Sequence, residues 1–284
     1  MSSILGREEY IEQAYFFRVL RERLADNQPT QQVLSHIHEE LLSTTHMPHA
    51  VQFLEGELRH TGELSSGFLR LQHYFTPFQA YVIRQTEEEK LRFSIETALL
   101  VLEREATYRA DSPLPTALFV YQFETLSRNR LGYHDGLKAM QSDPVYNDDW
   151  RTYLQTVQQQ MGVVDFADLV YLRSEFAVME QRRANPDFIP RLTPLFGEKE
   201  GKIAKANRGR DPLYLFAALQ RQLGYPEVPR PTEPDNTEAK LELIRAKLRE
   251  VEQRVKLVES EVRGHVDLSQ FMVKPESFRD QDEE

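Results

Sequence analysis

Apolar residues between Phe16 and Phe75 recur every three or four positions, which is the period of an amphipathic α-helix. Short polar or glycine-containing turns divide the stretch into four helices, and Pro29 and Pro48 stand where a first helical turn needs no backbone N–H. The predicted buried faces are Phe16, Phe17, Leu20 and Leu24; Val33, Leu34, Ile37 and Leu41; Ala50, Val51, Leu54 and Leu58; and Leu64, Phe68, Leu71 and Phe75. Helices this short are not stable alone, so the stretch predicts a compact antiparallel bundle in which these faces meet.

The whole chain is predicted to be all-α. Its 284 residues can bury a substantial core, and its composition, 40% hydrophobic and 28% charged, is that of an ordinary globular protein. Alternating runs rich in Val, Ile and Thr are scarce, and only residues 161–165 hint at extended structure. The expected architecture is a multi-helix body over residues 1–225, a proline-rich linker and a coiled-coil-like helix.

Two blocks of the opening stretch also follow a known pattern. The first block carries Phe16, Arg18, Leu20, Leu24, Asn27, Pro29, Val33 and Leu34, and the second carries Pro48, Gly62-Glu63-Leu64, Leu71 and Tyr74. Residues 16–75 thereby resemble the cytoplasmic helical domain of the type II secretion F and type IV pilus platform family. The chain departs from that pattern at Asn27, where the family has glycine, lacks a helix between Ile37 and Met47, and has no membrane span after Phe75. The resemblance implies a non-enzymatic helical docking domain.

Residues 77–109 are predicted to form one long connecting helix whose apolar face changes partway along. Phe78 and Val82 define the early face, and three consecutive glutamates, 87–89, mark the change. The later face comprises Leu91, Ile95, Ala98, Leu99, Leu102 and Ala106. We therefore expect the helix to pack on the first bundle at its start and on later helices at its end. Further helices are predicted within 114–225, at 118–130, 135–141, 148–161, 165–183 and 213–223.

Four prolines between 226 and 234 predict a stiff linker over 226–235, followed by a helix over 236–264. The core positions of this helix repeat every three and four residues: Leu241, Ile244, Leu248, Val251, Val255, Val258 and Val262. Such a repeat predicts a coiled-coil arm of about three heptads that binds a partner through these seven residues. Residues 265–284 are predicted to be an apolar peptide and an acidic, disordered tail.

The partner of the arm stays open between a second copy, a different protein and the body itself, because a segment of about three heptads is short. In a parallel pair Lys247 would meet Glu252 and Arg254 would meet Glu259, whereas Lys240 would oppose Arg245. Leucine and valine at the first core position, with isoleucine and valine at the second, do not favour a simple parallel dimer.

Several classes of function are disfavoured by composition. The sequence contains no cysteine, which excludes a disulfide framework, a thiolate zinc site and a cysteine nucleophile. A net charge of -10 disfavours nonspecific binding to nucleic acid or to anionic lipid. Glu8 and Glu9 fall where a signal peptide needs its apolar core, and the longest uncharged run, 112–123, is shorter than the ~20 residues that cross a bilayer. We therefore expect a cytoplasmic protein without membrane insertion.

Metal binding is the main enzymatic alternative, because six of the eight histidines lie between positions 36 and 73. Glu57 and His60 have the spacing that places two ligands on one helix face in carboxylate-bridged di-iron bundles. That kind of site needs further glutamates, for which the candidates by spacing are Glu89, Glu96 and Glu103. A metal-dependent helical enzyme, di-iron or zinc, is therefore an alternative hypothesis, and histidines at helix rims are the simpler interpretation.

A basic segment provides the second alternative, weak RNA binding. It contains Lys199, Lys202, Lys205, Arg208 and Arg210. Residues 197–202 superficially resemble a phosphate loop, but Ile203 stands where a Ser or Thr must hold the metal and no strand precedes the loop. A spacing of three spreads the positive charges around a helix, and neighbouring glutamates dilute them, so a solvated face is the favoured interpretation.

No catalytic elbow, dinucleotide fingerprint or calcium loop occurs in the sequence, and no cofactor is predicted. The sequence therefore predicts a non-enzymatic, cytoplasmic helical adaptor or scaffold that mediates protein–protein interaction or self-association through its C-terminal arm.

Overall fold

The computed structural model describes residues 5–88 and 93–230, together with the positions between 244 and 256 other than 246, 250 and 253. Within 5–230 the described residues form thirteen helices. They are α1 (Arg7–Ala25), α2 (Thr30–Glu40), α3 (Met47–Thr61), α4 (Leu64–Arg70), α5 (Pro77–Glu87), α6 (Ile95–Ala110), α7 (Pro115–Arg128), α8 (Tyr133–Gln141), α9 (Asp148–Gln160), α10 (Phe166–Leu172), α11 (Glu175–Ala184), α12 (Glu198–Ala206) and α13 (Pro212–Leu223). The predicted all-α class is confirmed.

The predicted faces of the first four helices point into the core. Fourteen of the sixteen residues assigned to these faces are buried. The other two, Leu24 and Leu58, are partly buried and pack against the core. Helix α2 packs on α3, and α4 lies against both α3 and α5. Helix α1 packs most extensively along α6, so the opening helices share their core with the next part of the chain.

The single helix predicted over 77–109 is wrong, because two helices occupy this stretch. Helix α5 ends at Glu87. The carboxylate of Glu87 accepts a hydrogen bond from the N–H of Leu64 at 2.5 Å, which gives a partner to one of the backbone N–H groups left free at the start of α4. Helix α6 begins at Ile95, where the Ser94 hydroxyl accepts a hydrogen bond from the N–H of Thr97 at 3.2 Å. The change of apolar face in the sequence therefore reflects two separate helix axes.

Helix α7 lies at the centre of the second half, since each residue from Ala117 to Leu126 is buried. Helices α8 and α9 pack on each other, while α10, α11, α12 and α13 form a second group that reaches α7 through α13. An aromatic cluster fills the space between them: Phe119, Phe123, Trp150, Tyr153, Phe166, Phe196 and Phe216. One hydrophobic core therefore runs through the whole body.

The start of the predicted linker belongs to the body, so the predicted boundary after residue 225 is wrong. Val228 and Pro229 are buried, and the carbonyl oxygen of Pro229 accepts a hydrogen bond from Asn129 at 3.3 Å. Tyr225 is anchored by donating its hydroxyl proton to Glu124 at 2.6 Å. The first compact unit accordingly extends to Thr232, and the second spans Glu233–Glu284.

Extended pairing in the described part is limited to two isolated bridges, Met161 with Val164 and Ser174 with Phe196. None of the described helices is long and apolar enough to cross a membrane.

Candidate functional site

The described part of the predicted arm is helical and carries an apolar stripe. Ile244, Leu248, Val251 and Val255 are 52%, 56%, 55% and 49% exposed. Their spacing of four, three and four places them on one side of the helix. The other predicted core positions, Leu241, Val258 and Val262, lie outside the described residues, as does the whole of the predicted tail, 265–284.

A second candidate site lies on the body, where the helical conformation is interrupted between α10 and α11. A helix was predicted over 165–183, but Arg173 and Ser174 interrupt it. The Ser174 hydroxyl accepts a hydrogen bond from the N–H of Ala177 at 3.2 Å, which caps α11. The carbonyl oxygen of Arg173 accepts a hydrogen bond from Leu195 at 2.8 Å, so the break is held by the strand-like bridge to residues 195–196.

Helix α12 packs closely against this interruption, and Gly201 is the residue of α12 at the point of contact. A Cβ atom at Gly201 would stand 2.2 Å from the Ser174 hydroxyl oxygen and 2.7 Å from the Cβ of Phe176. Only a residue without a side chain allows α12 to approach the start of α11 this closely. The position of Ser174 is thereby fixed from two directions.

A cleft of about 440 Å³ opens between the start of α11 and residues 188–194. Its volume falls in the range of known ligand pockets, which is about 300–1,000 Å³. The large apolar side chains of Leu172, Ile189 and Leu192 line it and are 64%, 81% and 54% exposed. These three side chains form an apolar rim, which is the feature that most distinguishes the cleft from the surrounding surface.

Two arginines give the cleft a positive character. Arg173 and Arg191 line it, and no aspartate or glutamate is among the described residues that line it, although the protein carries a net charge of -10. Arg191 is exposed and makes no ion pair with the residues that the structure describes. The charge of the cleft is therefore opposite to that of the protein as a whole.

Arg173 is 9% exposed, yet its Nε and Nη2 atoms have no hydrogen-bond partner among the described residues. Its guanidinium lies over the Tyr153 ring, 5.6 Å from the centroid. Burial lowers the pKa of Arg173, while interactions with Tyr153 and Asp149 oppose this shift. A buried guanidinium without hydrogen bonds is costly to a folded protein, which makes this arginine a candidate for binding an anion.

The segment beside the cleft also has free backbone groups. Within the part of the chain that the structure describes, residues 189–193 make no hydrogen bond through their N–H or carbonyl groups. The segment is held from outside, since Arg182 donates to the carbonyl oxygen of Phe188 at 3.2 Å. A partner could therefore bond to backbone as well as side chains here.

Sequence reasoning missed this cleft because residues 165–183 have a continuous helical pattern. Two signals could have revealed it. Ser174 followed by Glu175 is typical of a helix start, and three prolines, at 186, 190 and 194, punctuate the apolar residues Ile189 and Leu192.

Among the residues that the structure describes, Glu57 and His60 do not lie close to enough further side chains that could coordinate a metal ion. Glu57 accepts a hydrogen bond from Arg70 at 2.5 Å, and His60 is exposed on the surface of α3. Glu103 pairs with Arg21 at 2.9 Å, Glu96 is exposed, and Glu89 lies outside the described residues. Nowhere in the described chain do three His, Asp or Glu side chains meet closely enough to hold a metal ion.

The predicted basic segment is largely paired with carboxylates. Lys202 pairs with Glu198 on its own helix, Lys205 pairs with Glu180 at 2.5 Å, and Arg208 pairs with Asp168 at 2.5 Å. Lys199 and Arg210 are exposed. The five residues therefore do not act as one free basic surface, and the ion pairs tie α12 to α11 and the turn after α12 to α10.

A buried ionic network occupies the centre of the body. Arg109 donates to Glu105 at 3.0 Å and to Asp143, and Gln122 donates to Glu105 at 2.7 Å. Burial by itself lowers the pKa of Arg109, but the two carboxylates outweigh burial and hold the pKa well above its ordinary value. The side chains of Glu105 and Asp143 are fully buried, so we interpret this network as one that joins helices, although Arg109 also lines a small pocket of about 260 Å³ beside Tyr10.

Comparisons with protein-family models, with curated proteins and with solved structures found no match for this chain. The resemblance of residues 16–75 to the secretion-platform domain therefore stays a prediction.

Proposed function

We propose that this protein is a non-enzymatic helical scaffold that assembles with further copies of itself through its C-terminal arm. The observation that carries the proposal is the stripe of Ile244, Leu248, Val251 and Val255, each about half exposed on a helix. Burying an aliphatic side chain of this size stabilises an assembly by about 1.5–3 kcal/mol relative to full exposure. A helix with such a stripe gains this energy when a second helix covers it.

Two of the three charge pairs expected between parallel copies are complementary, and the third, Lys240 with Arg245, is repulsive, so the balance favours a second copy as the partner. In a parallel arrangement, Lys247 of one copy lies opposite Glu252 of the next, and the sequence places Arg254 opposite Glu259 in the same way. Leucine at the first core position with isoleucine at the second, as at Leu241 and Ile244, favours assemblies of three or four helices over two. The proposed scaffold is therefore a small oligomer in which each arm carries one helical body.

The test is the molar mass of the full chain in solution, measured by light scattering over a range of concentrations. We expect a mass of about three or four chains, each of 33.3 kDa. Leu248→Glu places a charge in the stripe and should reduce the mass to that of one chain, because an unpaired charge is too costly to bury.

The matched control is Arg249→Glu, which introduces the same side chain one position along, outside the core positions. It should leave the mass unchanged. A wild-type chain that remains at 33.3 kDa at every concentration would contradict the proposal, as would equal effects of the two variants.

A further inference from the structure

We propose that the cleft between α11 and residues 188–194 binds a short peptide segment of another protein, one in which acidic residues lie among apolar residues. In this mode, carboxylates of the peptide bind Arg173 and Arg191, and its apolar side chains cover Leu172, Ile189 and Leu192. The arm takes no part in this site.

The two arginines of the cleft, Arg173 and Arg191, have no ion-pair partner among the described residues. Burial lowers the pKa of Arg173 and Asp149 is near enough to oppose this shift, but no described acidic residue lines the cleft. A carboxylate can accept two parallel hydrogen bonds from one guanidinium, which is the geometry that arginine binds best. Nε and Nη2 of Arg173 are covered by the body, so a carboxylate in the cleft would bind this guanidinium through its remaining nitrogen, Nη1, and would bind the exposed Arg191 through two parallel hydrogen bonds.

The apolar rim decides in favour of a peptide. Leu172, Ile189 and Leu192 surround the positive groups, and no lysine is among the described residues that line the cleft, whereas a nucleic-acid site presents basic residues along a backbone path. The aromatic residues of the cleft, Tyr171 and Phe188, are only partly exposed. The backbone groups of residues 189–193 are also unpaired in the described structure, and a peptide backbone carries complementary donors and acceptors. Carboxylates, apolar side chains and a backbone occur together in a peptide and not in RNA.

The experiment uses an array of immobilised octapeptides, each with a central pair of acidic residues and every combination of Leu, Ile, Val, Phe, Ala and Ser at the flanks. A second array replaces the acids with Asn and Gln, and a third surface carries single-stranded poly(U) RNA. Labelled full-length protein is applied to all three. We expect the strongest acidic peptides to retain roughly tenfold more protein than their amide counterparts. A hydrogen bond to a charged group is stronger than a neutral one, and the difference in free energy corresponds to about a tenfold difference in affinity.

Two pairs of variants identify the surface that binds. Ile189→Ser and Arg191→Gln alter exposed residues of the cleft, and each should reduce retention by roughly tenfold. Val163→Ser and Arg210→Gln make the same changes at exposed positions outside the cleft, where Val163 is 86% exposed, and should leave retention unchanged. All four positions are exposed, so the fold should be preserved, which a thermal melt verifies.

Three outcomes would overturn the proposal. They are equal retention on the acidic and amide arrays, retention that the cleft variants do not change, and retention on RNA without retention on peptides.

Discussion

At the scale of single residues, two buried arginines meet opposite conditions. Arg109 donates to Glu105 and Asp143, so its charge is balanced within the core. Arg173 is similarly buried but stacks on Tyr153 without an ion pair in the described structure. Nε of Arg109, like Nε of Arg173, has no hydrogen-bond partner among the described residues, so the difference between the two arginines lies in charge balance. Because a buried guanidinium is costly unless an opposite charge balances it, we interpret Arg109 as a structural residue and Arg173 as a residue kept for binding.

Arg109→Met should strongly destabilise the protein, because it leaves Glu105 and Asp143 buried without their cation. Breaking a buried ion pair from one side costs about 3–5 kcal/mol, and urea denaturation would measure this loss in the free energy of unfolding. Arg151→Met is the control, since Arg151 pairs with Asp148 at 3.0 Å on the surface and should change the free energy by less than about 1 kcal/mol. Similar effects of the two substitutions would show that the network is not structural.

At the scale of elements, the cleft depends on how closely α12 packs against the break between α10 and α11. Gly201 provides this approach, and the pairs of Lys205 with Glu180 and of Arg208 with Asp168 hold the three helices together. The bridge between Ser174 and Phe196 fixes the far end. The shape of the cleft is therefore a consequence of helix packing, and no single helix determines it.

Gly201→Ala should lower the free energy of unfolding by about 1–3 kcal/mol, because its Cβ would stand 2.2 Å from the Ser174 hydroxyl oxygen and would push α12 away from α11. Thermal melting measures the change. Gly56→Ala, inside α3, is the control: its Cβ would meet no atom within 4 Å, so alanine should stabilise the helix by about 1 kcal/mol. Stabilisation by both substitutions would refute the close approach of α12.

At the scale of the whole molecule, the chain divides into two compact units, Met1–Thr232 and Glu233–Glu284. The first unit contains a continuous core that extends from the opening helices to Tyr225 and Val228. The second contains the helical stripe on which the proposed assembly rests. Assembly and peptide binding are therefore assigned to different units and can be tested separately.

The position of the boundary leads to a prediction about truncation. A chain ending at residue 232 should melt cooperatively at nearly the temperature of the full chain under monomeric conditions. A chain ending at residue 225 should be less stable by about 1.5–3 kcal/mol, because it loses the burial of Val228 and the hydrogen bond from Asn129 to Pro229. Circular dichroism on heating compares them, and equal stability would place the end of the body at residue 225 after all.

The sequence by itself determined the helical class and the buried faces of α1 to α4. The spacing of apolar residues at three and four positions specifies which side of a helix is hidden from water, and this property is local. The prolines, glycines and capping residues that end helices are local signals as well, which is why Pro29, Pro48 and Gly62 lie at helix ends as predicted.

Only the tertiary structure decided where continuous helical patterns are broken and what the breaks create. The stretches 77–109 and 165–183 could each continue as one helix by periodicity, but Glu87 satisfies the start of α4 and Ser174 bridges to Phe196. The burial of Val228, and the burial of Arg173 without an ion pair in the described structure, likewise depend on residues far away in the chain. Such contacts leave no periodic trace in the sequence, because they join positions whose separation follows from packing rather than from the geometry of a helix.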